Sequence, residues 1–145
     1  MAEDLKPMIR RIFEEAYNKG NLDVLDVLID ANYIRHQPPM KDVKGLGAYK
    51  KFVQDVRNAY TNFGIEVEEI LADGNKTVVR TVLKGKHTGK TPTLMAPPTG
   101  KEIAMVGCAV STWENGKITE EWVYNDYMGL TQQFGVMPLA MGGFE

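Results

Sequence analysis

The sequence predicts an α+β fold in which three N-terminal helices close a cone-shaped barrel, formed by a curved, mostly antiparallel sheet. Two observations lead to this prediction. Apolar residues recur at helical spacing in the first part of the chain, and from residue 64 onward they alternate with polar residues. Helices followed by antiparallel strands are typical of the α+β class. Because long strands twist, we expect the sheet to curve and leave a cavity at its open end.

Three segments have the apolar spacing of amphipathic helices: residues 5–19, 22–29 and 46–60. Gly20 ends the first helix, since glycine accepts the left-handed conformation of a helix C-cap. Asn21 is a candidate N-cap for the second helix. We expect a short extended segment at residues 33–36, which the following Gln-Pro-Pro ends.

Four segments have the period of two that indicates strands: residues 65–72, 76–87, 103–114 and 117–126. Asp73-Gly74 and Asn115-Gly116 predict hairpin turns, because both dipeptides tolerate positive φ. For the first hairpin, a three-residue loop over residues 73–75 separates apolar from charged side chains best. It places on the core face Ile65, Val67 and Leu71 beside Thr77, Val79, Thr81 and Leu83. Beyond these strands we expect a loop at 88–100, a helical turn at 127–135 and a loose tail at 137–145.

Composition indicates a single globular domain over residues 1–145. The chain is 43% hydrophobic and 25% charged, with a formal net charge of −2, which is ordinary for such a protein. The small mixed charge leaves no basic footprint, so we expect no nucleic-acid partner. No apolar run is long enough to span a membrane, and the N-terminus lacks the pattern of a signal peptide. We therefore expect a cytoplasmic protein.

Few chemical motifs are present. The single cysteine, Cys108, cannot form an internal disulfide and is expected to be an inert core residue. No glycine-rich phosphate loop, nucleophile motif or metal-ligand spacing occurs. We therefore expect neither a metal nor an organic cofactor.

The Asn115-Gly116 turn predicts which side chains face the cavity. It pairs Trp113 with Ile118, and strict alternation from there places further residues on the same face: Glu120, Trp122, Tyr124 and Asp126. Each has two interpretations. The tryptophans belong to the core or to a ligand platform, Glu120 is a structural hydrogen-bond acceptor or a functional carboxylate, and Asp126 is a helix cap or a proton carrier.

The other hairpin places His87 at the rim of the open end. His87 and His36 are each either hydrogen-bonded structural residues or catalytic ones. Met95 and Met105 could line an adaptable apolar pocket. The apolar centre of the loop at residues 88–100 predicts that this loop borders the cavity mouth. Apolar residues also occupy the opposite sheet face, so we expect at least a homodimer: Val106, Cys108, Val110 and Val123.

Four segments of the chain together resemble a known family. They are residues 17–23 (YNKGNLD), 33–38 (YIRHQP), 85–89 (GKHTG) with 98–101 (PTGK), and 115–122 (NGKITEEW) leading to Asp126 and residues 129–136. Their order and spacing are similar to those of the SnoaL-like polyketide cyclases, also called ester cyclases. This family has the cone-shaped fold of nuclear transport factor 2. The resemblance extends over residues 5–138.

The resemblance implies ring closure by intramolecular aldol condensation of an aromatic polyketide ester, without a cofactor. It implies that Asp126 is the acid/base and that His36 and His87 lie near the pocket. We expect a hydrophobic, aromatic small molecule as the partner, in contact with the aromatic and apolar residues named above and with Tyr17, Tyr33 and Phe52. The alternatives are a non-catalytic binding or accessory protein with the same cavity and a purely structural dimerisation module.

Overall fold

The computed structural model describes residues 2–94 and 96–135. After a 3₁₀ turn at Ala2–Asp4, the helices and strands follow in this order: α1 (Leu5–Arg11) with a π-helical continuation (Ile12–Tyr17), α2 (Asp23–Leu28), β1 (Ile29–Gln37), β2 (Met40–Lys44), α3 (Leu46–Ala59), β3 (Tyr60–Asp73), β4 (Lys76–His87), β5 (Glu102–Glu114), β6 (Lys117–Asn125) and α4 (Tyr127–Phe134).

The mixed α+β class is confirmed, whereas the sheet in the described residues is open instead of a closed barrel. Its six strands lie in the order β2-β1-β6-β5-β4-β3. All neighbours are antiparallel except β1 and β6, which run parallel. Buried side chains of all four helices pack on one face of the sheet and form the core, including Ile9, Leu25, Val53 and Leu130. The inward face of β1, β6, β5 and β4 therefore forms the wall of the interior.

The predicted helices are present with small differences at their ends. The first changes from α-helical to π-helical geometry at Ile12 and is followed by Gly20, whose φ of +76° is left-handed, as expected. The extended segment at 33–36 is part of a much longer strand, β1. Strand β2 was not predicted. The two prolines before Met40 were expected to end regular structure, but they form a turn between the paired strands β1 and β2.

The β3–β4 hairpin turns differently from the prediction. Asp73 pairs directly with Lys76, so the turn has two residues and the three-residue loop is wrong. A register shift between Val67 and Glu69 then brings Val67 opposite Thr81 and Ile65 opposite Leu83, as predicted. Leu71, which was expected to face inward, is 55% exposed.

The β5–β6 hairpin begins as predicted and then shifts. Asn115 and Gly116 both have positive φ, and Trp113 pairs with Ile118. A bulge follows, so that Thr112 pairs with Glu120. A shift of one residue moves every later side chain to the opposite face of the sheet.

The bulge overturns the predicted orientation of three β6 residues. Trp122 and Tyr124 are 41% and 55% exposed, and Glu120 is also exposed. The residues between them face inward instead, and Glu121 and Val123 are each only 4% exposed. The outer apolar face therefore includes the rings of Trp122 and Tyr124, which were predicted to face inward. It does not include Val123, which was predicted to lie there.

The helical turn expected at 127–135 is the helix α4, which ends at Gly135 with a left-handed φ of +80°. The predicted tail at 137–145 and the predicted pocket residue Met95 lie outside the described residues. Within the described part of the chain, no helix has the length and apolar character needed to cross a membrane.

Candidate functional site

A cavity of about 70 Å³ lies between the helices and the inward face of the sheet. One enclosed water needs roughly 10–15 Å³ on this measure, so the cavity has room for several waters or part of a ligand. Its wall is mainly aromatic and aliphatic and includes Phe13, Tyr17, Tyr49, Phe52, Leu83 and Met105. Such a wall favours an apolar ligand with a few polar groups.

Two charged residues, Arg35 and Glu121, line this cavity. They are aligned partners in the parallel pairing of β1 with β6, which brings both side chains to the inward face. Arg35 is 8% exposed and Glu121 is 4% exposed. Their nearest charged atoms, Arg35 Nη1 and Glu121 Oε1, lie 3.9 Å apart. The cavity thus contains one buried cation beside one buried carboxylate.

Hydroxyl groups hold the Glu121 carboxylate in place. Tyr33 donates to Oε1 and Ser111 donates to Oε2, each at 2.5 Å. Each carboxylate oxygen can accept a second hydrogen bond, so the group retains free lone pairs. A buried carboxylate needs such partners, because burial of an unpaired charge is costly.

Aromatic rings and one amide hold the Arg35 guanidinium. Its Nε donates to Gln37 Oε1 at 2.9 Å, and its Cζ lies 4.8 Å from the Phe52 ring centre and 5.8 Å from that of Tyr49. Burial disfavours its charge, but the surrounding phenol oxygens and the Glu121 carboxylate outweigh this effect and raise the pKa of Arg35. The guanidinium therefore stays protonated.

Phenol groups provide further polar atoms in the wall. The hydroxyls of Tyr17 and Tyr49 lie 3.0 Å apart. Burial raises the pKa of both phenols, well above the ordinary value for Tyr49. Burial also raises the pKa of Tyr60 to about 12. These hydroxyls are therefore protonated at neutral pH. Within the Tyr17–Tyr49 pair one hydroxyl donates to the other, which leaves the second free to donate.

The segment after β4 closes one side of the cavity. Thr91, Pro92 and Thr93 contribute to the wall, which confirms the prediction that this loop borders the cavity. The Asn125 amide donates to the Tyr127 hydroxyl at 3.3 Å, and both residues also line the cavity.

Asp126 was expected on the cavity wall, within reach of a histidine, and this placement is wrong. Its side chain is exposed and caps helix α4, accepting a hydrogen bond of 2.8 Å from Gly129 N. It does not belong to the cavity wall. Of the two interpretations of Asp126, the structure supports the helix cap.

His36 lies on the outer face of the sheet, away from the cavity. Its Nε2 is 2.8 Å from Glu120 Oε2 and its Nδ1 is 3.2 Å from Asp42 Oδ1. Its ring stacks on Trp122 with centres 4.0 Å apart. The hydrogen bond that His36 donates to Glu120, together with the nearby Asp42 carboxylate, raises the pKa of His36.

His87 is completely buried, yet it lies behind the cavity wall and not in it. Thr99 N donates to its Nδ1 at 3.2 Å, and the ring stacks on Phe134 of α4 with centres 4.2 Å apart. Its Nε2 has no hydrogen-bond partner. Burial lowers the pKa of His87. The structure thus keeps His36, His87 and Asp126 apart.

The predicted ligand-contacting residues divide into three groups. Tyr17, Phe52 and Met105 line the cavity, as expected. Tyr33 and Trp113 are buried outside its wall, where Trp113 Nε1 donates to Thr77 Oγ1 at 3.0 Å. Glu120, Trp122 and Tyr124 lie on the outer face and cannot reach the cavity.

Sequence reasoning missed both charged residues of the site. Arg35 alternates with Tyr33 and Gln37 along β1, a period-two pattern that was visible but was treated as a short extended piece. Glu121 was assigned to the wrong face because the bulge was not foreseen. Among the described residues, no group of three or more histidine, cysteine, aspartate or glutamate side chains is arranged to hold a metal ion.

Comparison with known proteins gives a consistent result. A sequence model of the SnoaL-like polyketide cyclase family matches residues 7–134. No curated protein matches the sequence.

Among solved structures, a "putative SnoaL-like polyketide cyclase" from Jannaschia sp. CCS1 superposes with a TM-score of 0.84 at 19% identity, over 94% of this chain and 95% of the other. TsrD from Streptomyces laurentii has a TM-score of 0.81 at 20% identity, over 92% and 96%. IdmH from Streptomyces antibioticus, also named a "putative polyketide cyclase", has a TM-score of 0.74 at 25% identity, over 90% and 98%.

Proposed function

Because the chain belongs to the SnoaL-like polyketide cyclase family, we propose that it is a cofactor-independent enzyme that performs acid–base chemistry on a hydrophobic small molecule. The reaction is an intramolecular aldol ring closure or a related isomerisation or dehydration. The observation that carries this proposal is the Glu121 carboxylate, buried in the wall of an otherwise apolar cavity. A carboxylate held by two hydroxyl donors is a positioned group that can take and return a proton.

The assignment of Glu121 as the base replaces Asp126, which the family resemblance had suggested. The Asp126 carboxylate accepts from the backbone of α4 and is exposed to solvent. The carbonyl substrate would enter among the aromatic rings, and Glu121 would remove the proton next to its carbonyl group. The same acid would then protonate the new alkoxide, so no external proton carrier is required.

The test is turnover of a panel of aromatic polyketide esters by matched variants. We expect Glu121→Gln to lower kcat/KM by about two to four orders of magnitude, because glutamine keeps the size of the side chain but cannot exchange a proton. Glu120→Gln changes the neighbouring carboxylate on the outer face and is the matched control. Asp126→Asn tests the other candidate base. Loss of turnover in Asp126→Asn with full turnover in Glu121→Gln would refute the assignment.

A second function, ligand binding without catalysis, is favoured by two observations. Both Glu121 oxygens already accept hydrogen bonds from the protein, and the three residues expected to be catalytic are not assembled. In that case aromatic ligands bind with measurable affinity, no panel member is converted, and Glu121→Gln changes only binding. Calorimetric binding assays beside the turnover assays separate the two functions.

A further inference from the structure

The Arg35 guanidinium has hydrogen-bonding capacity that the protein does not use. Arginine carries five N–H donors in a planar fork. Of the Arg35 side-chain nitrogens, Nε alone has a hydrogen-bond acceptor among the described residues, and that acceptor is Gln37. Nη1 lies 3.9 Å from Glu121 Oε1, which is beyond hydrogen-bond distance. Four N–H groups at the end of the side chain are therefore without an acceptor.

These four donors are accessible from the cavity. Within the described part of the chain, His87 Nε2 is the one fully enclosed side-chain nitrogen or oxygen that lacks a partner. The two Nη atoms of Arg35 also lack hydrogen-bond partners, but they are not fully enclosed, so they border open space. Because Arg35 lines the cavity, we take this space to be the cavity. The Phe52 ring, 4.8 Å from Cζ, packs against the guanidinium plane. The unused edge of the fork thus faces a ligand space and matches two oxygens on one side of a ligand.

The net charge of the cavity wall determines which type of ligand oxygen pair Arg35 can bind. Arg35 and Glu121 have formal charges that sum to zero, and every other wall residue in the described part of the chain is uncharged. A ligand carboxylate would therefore bring one uncompensated negative charge into an apolar cavity, which is costly. The two carbonyl oxygens of a neutral 1,3-dicarbonyl compound have suitable spacing for the fork and add no charge. A single ketone would leave half of the fork unpaired.

We propose that Arg35 binds both oxygens of a neutral, enolisable 1,3-dicarbonyl group and selects such ligands over carboxylates. This inference rests on the proposed function, since it defines the substrate class of the same cavity. In the reaction, the proton on the carbon between the two carbonyls moves to Glu121. The electron pair of that C–H bond becomes an enolate shared by both oxygens, which face Arg35. The negative charge moves from Glu121 to the ligand, and the net charge of the cavity stays zero.

The test uses benzoylacetone, an aromatic 1,3-dicarbonyl whose enolate has its own ultraviolet absorption. With excess protein at constant pH, we expect the enolate fraction to rise about tenfold or more, which corresponds to one pKa unit or more of the bound ligand. Arg35→Met should abolish this rise. Arg80→Met, which alters an exposed arginine of β4, is the matched control and should behave as the wild type.

A size-matched pair of ligands tests selectivity without a variant. We expect benzoylacetone to bind at least about tenfold more tightly than 3-benzoylpropanoate, a carboxylate of the same carbon count. Tighter binding of the carboxylate would overturn the proposal, and so would an unchanged enolate fraction in a folded Arg35→Met protein. Should Arg35→Met not fold, the ligand pair decides alone.

The outcome is separable from that of the proposed function. If the protein is an enzyme but Arg35 has no such role, Arg35→Met keeps its turnover on the ester panel and does not change enolate formation. If the protein only binds ligands, the wild type ionises benzoylacetone in an Arg35-dependent way, with no turnover of any ester.

Discussion

The Tyr33 hydroxyl donates a 2.5 Å hydrogen bond to the Glu121 carboxylate, and this bond joins β1 to β6 inside the core. Tyr33 is 0% exposed and Glu121 is 4% exposed. Burial and the adjacent carboxylate both raise the pKa of Tyr33 well above its ordinary value. The phenol is therefore protonated at neutral pH, and its hydrogen bond fixes the position of Glu121.

Tyr33→Phe should remove this donor with almost no change in packing. One oxygen of a buried carboxylate then loses a partner, which costs about 1–3 kcal/mol of the free energy of unfolding. Urea denaturation followed by fluorescence measures the loss. Tyr124→Phe is the control, because its phenol is 55% exposed on the outer face. Equal stability of the two variants would mean that the Tyr33–Glu121 bond contributes nothing.

The sequence was sufficient to predict the class of fold and most elements. The period change near residue 64 separated the helices from the long strands, and Gly20 and Asn115-Gly116 marked a helix end and a turn that the structure contains. These signals are local, because they depend on spacing and backbone conformation within a few residues. The open edge of the sheet and the parallel β1–β6 pairing depend on contacts distant in sequence and were not predictable in this way.

The candidate site was predictable only in part. Tyr17, Phe52 and Met105 reached the cavity as expected, since helix periodicity and strand alternation determine their directions. Glu121 also reaches the cavity but was not predicted to do so. One extra residue between the Trp113–Ile118 and Thr112–Glu120 pairs turns the later β6 side chains to the opposite face. Alternation alone favoured the face with two aromatic rings, although Trp122 and Tyr124 lie outside. A bulge has no reliable local signature, and here it decides which carboxylate enters the cavity.

His87 should make the protein less stable in acid. Burial lowers its pKa in the folded state, whereas in the unfolded chain the value is about 6.5. Below about pH 6.5 the unfolded chain binds a proton at this histidine more readily than the folded protein does. The free energy of unfolding therefore falls as the pH is lowered. Among the residues that the structure describes, no charged side chain contributes to the shift. Stability measured from pH 7.5 to 5 should decline less steeply in His87→Gln than in the wild type.

His36, the other of the two histidines, should have the opposite pH dependence. Its pKa is raised, first by Glu120 and then by Asp42. Its contribution to stability is therefore fully present below about pH 6.5 and is lost as the pH rises through the folded-state value. Both carboxylates are partly exposed, so the effect is modest and weakened by salt. His36→Gln should flatten the alkaline side of the stability profile, and an unchanged profile there would contradict this prediction.

The outer face of the sheet should bind a second copy of the chain. Val106, Trp122 and Tyr124 are 53%, 41% and 55% exposed on neighbouring strands. A contiguous apolar area of this kind is typical of an interface. We expect a homodimer by light scattering and a shift toward monomer in Tyr124→Lys. Val27→Lys alters an equally exposed valine on α2 and should leave the dimer intact. A monomeric wild type would exclude this interface.

Gly107→Ala should disturb the cavity through Asn125. A Cβ at Gly107 would lie 2.0 Å from Asn125 Oδ1, so the amide must swing away and lose its hydrogen bond to the Tyr127 hydroxyl. Overpacking of this kind costs about 1–3 kcal/mol of the free energy of unfolding, and ligand affinity should fall because Asn125 and Tyr127 line the cavity.

Gly47→Ala is the matched control for this substitution. It lies in helix α3 with nothing within 4 Å of the added Cβ, so it should increase stability by about 0.5–1 kcal/mol. The double variant Gly107→Ala/Asn125→Ala removes the colliding amide and should recover part of the stability that Gly107→Ala loses, because the two positions are in contact. Purely additive losses in the double variant would show that the clash with Asn125 is not the cause.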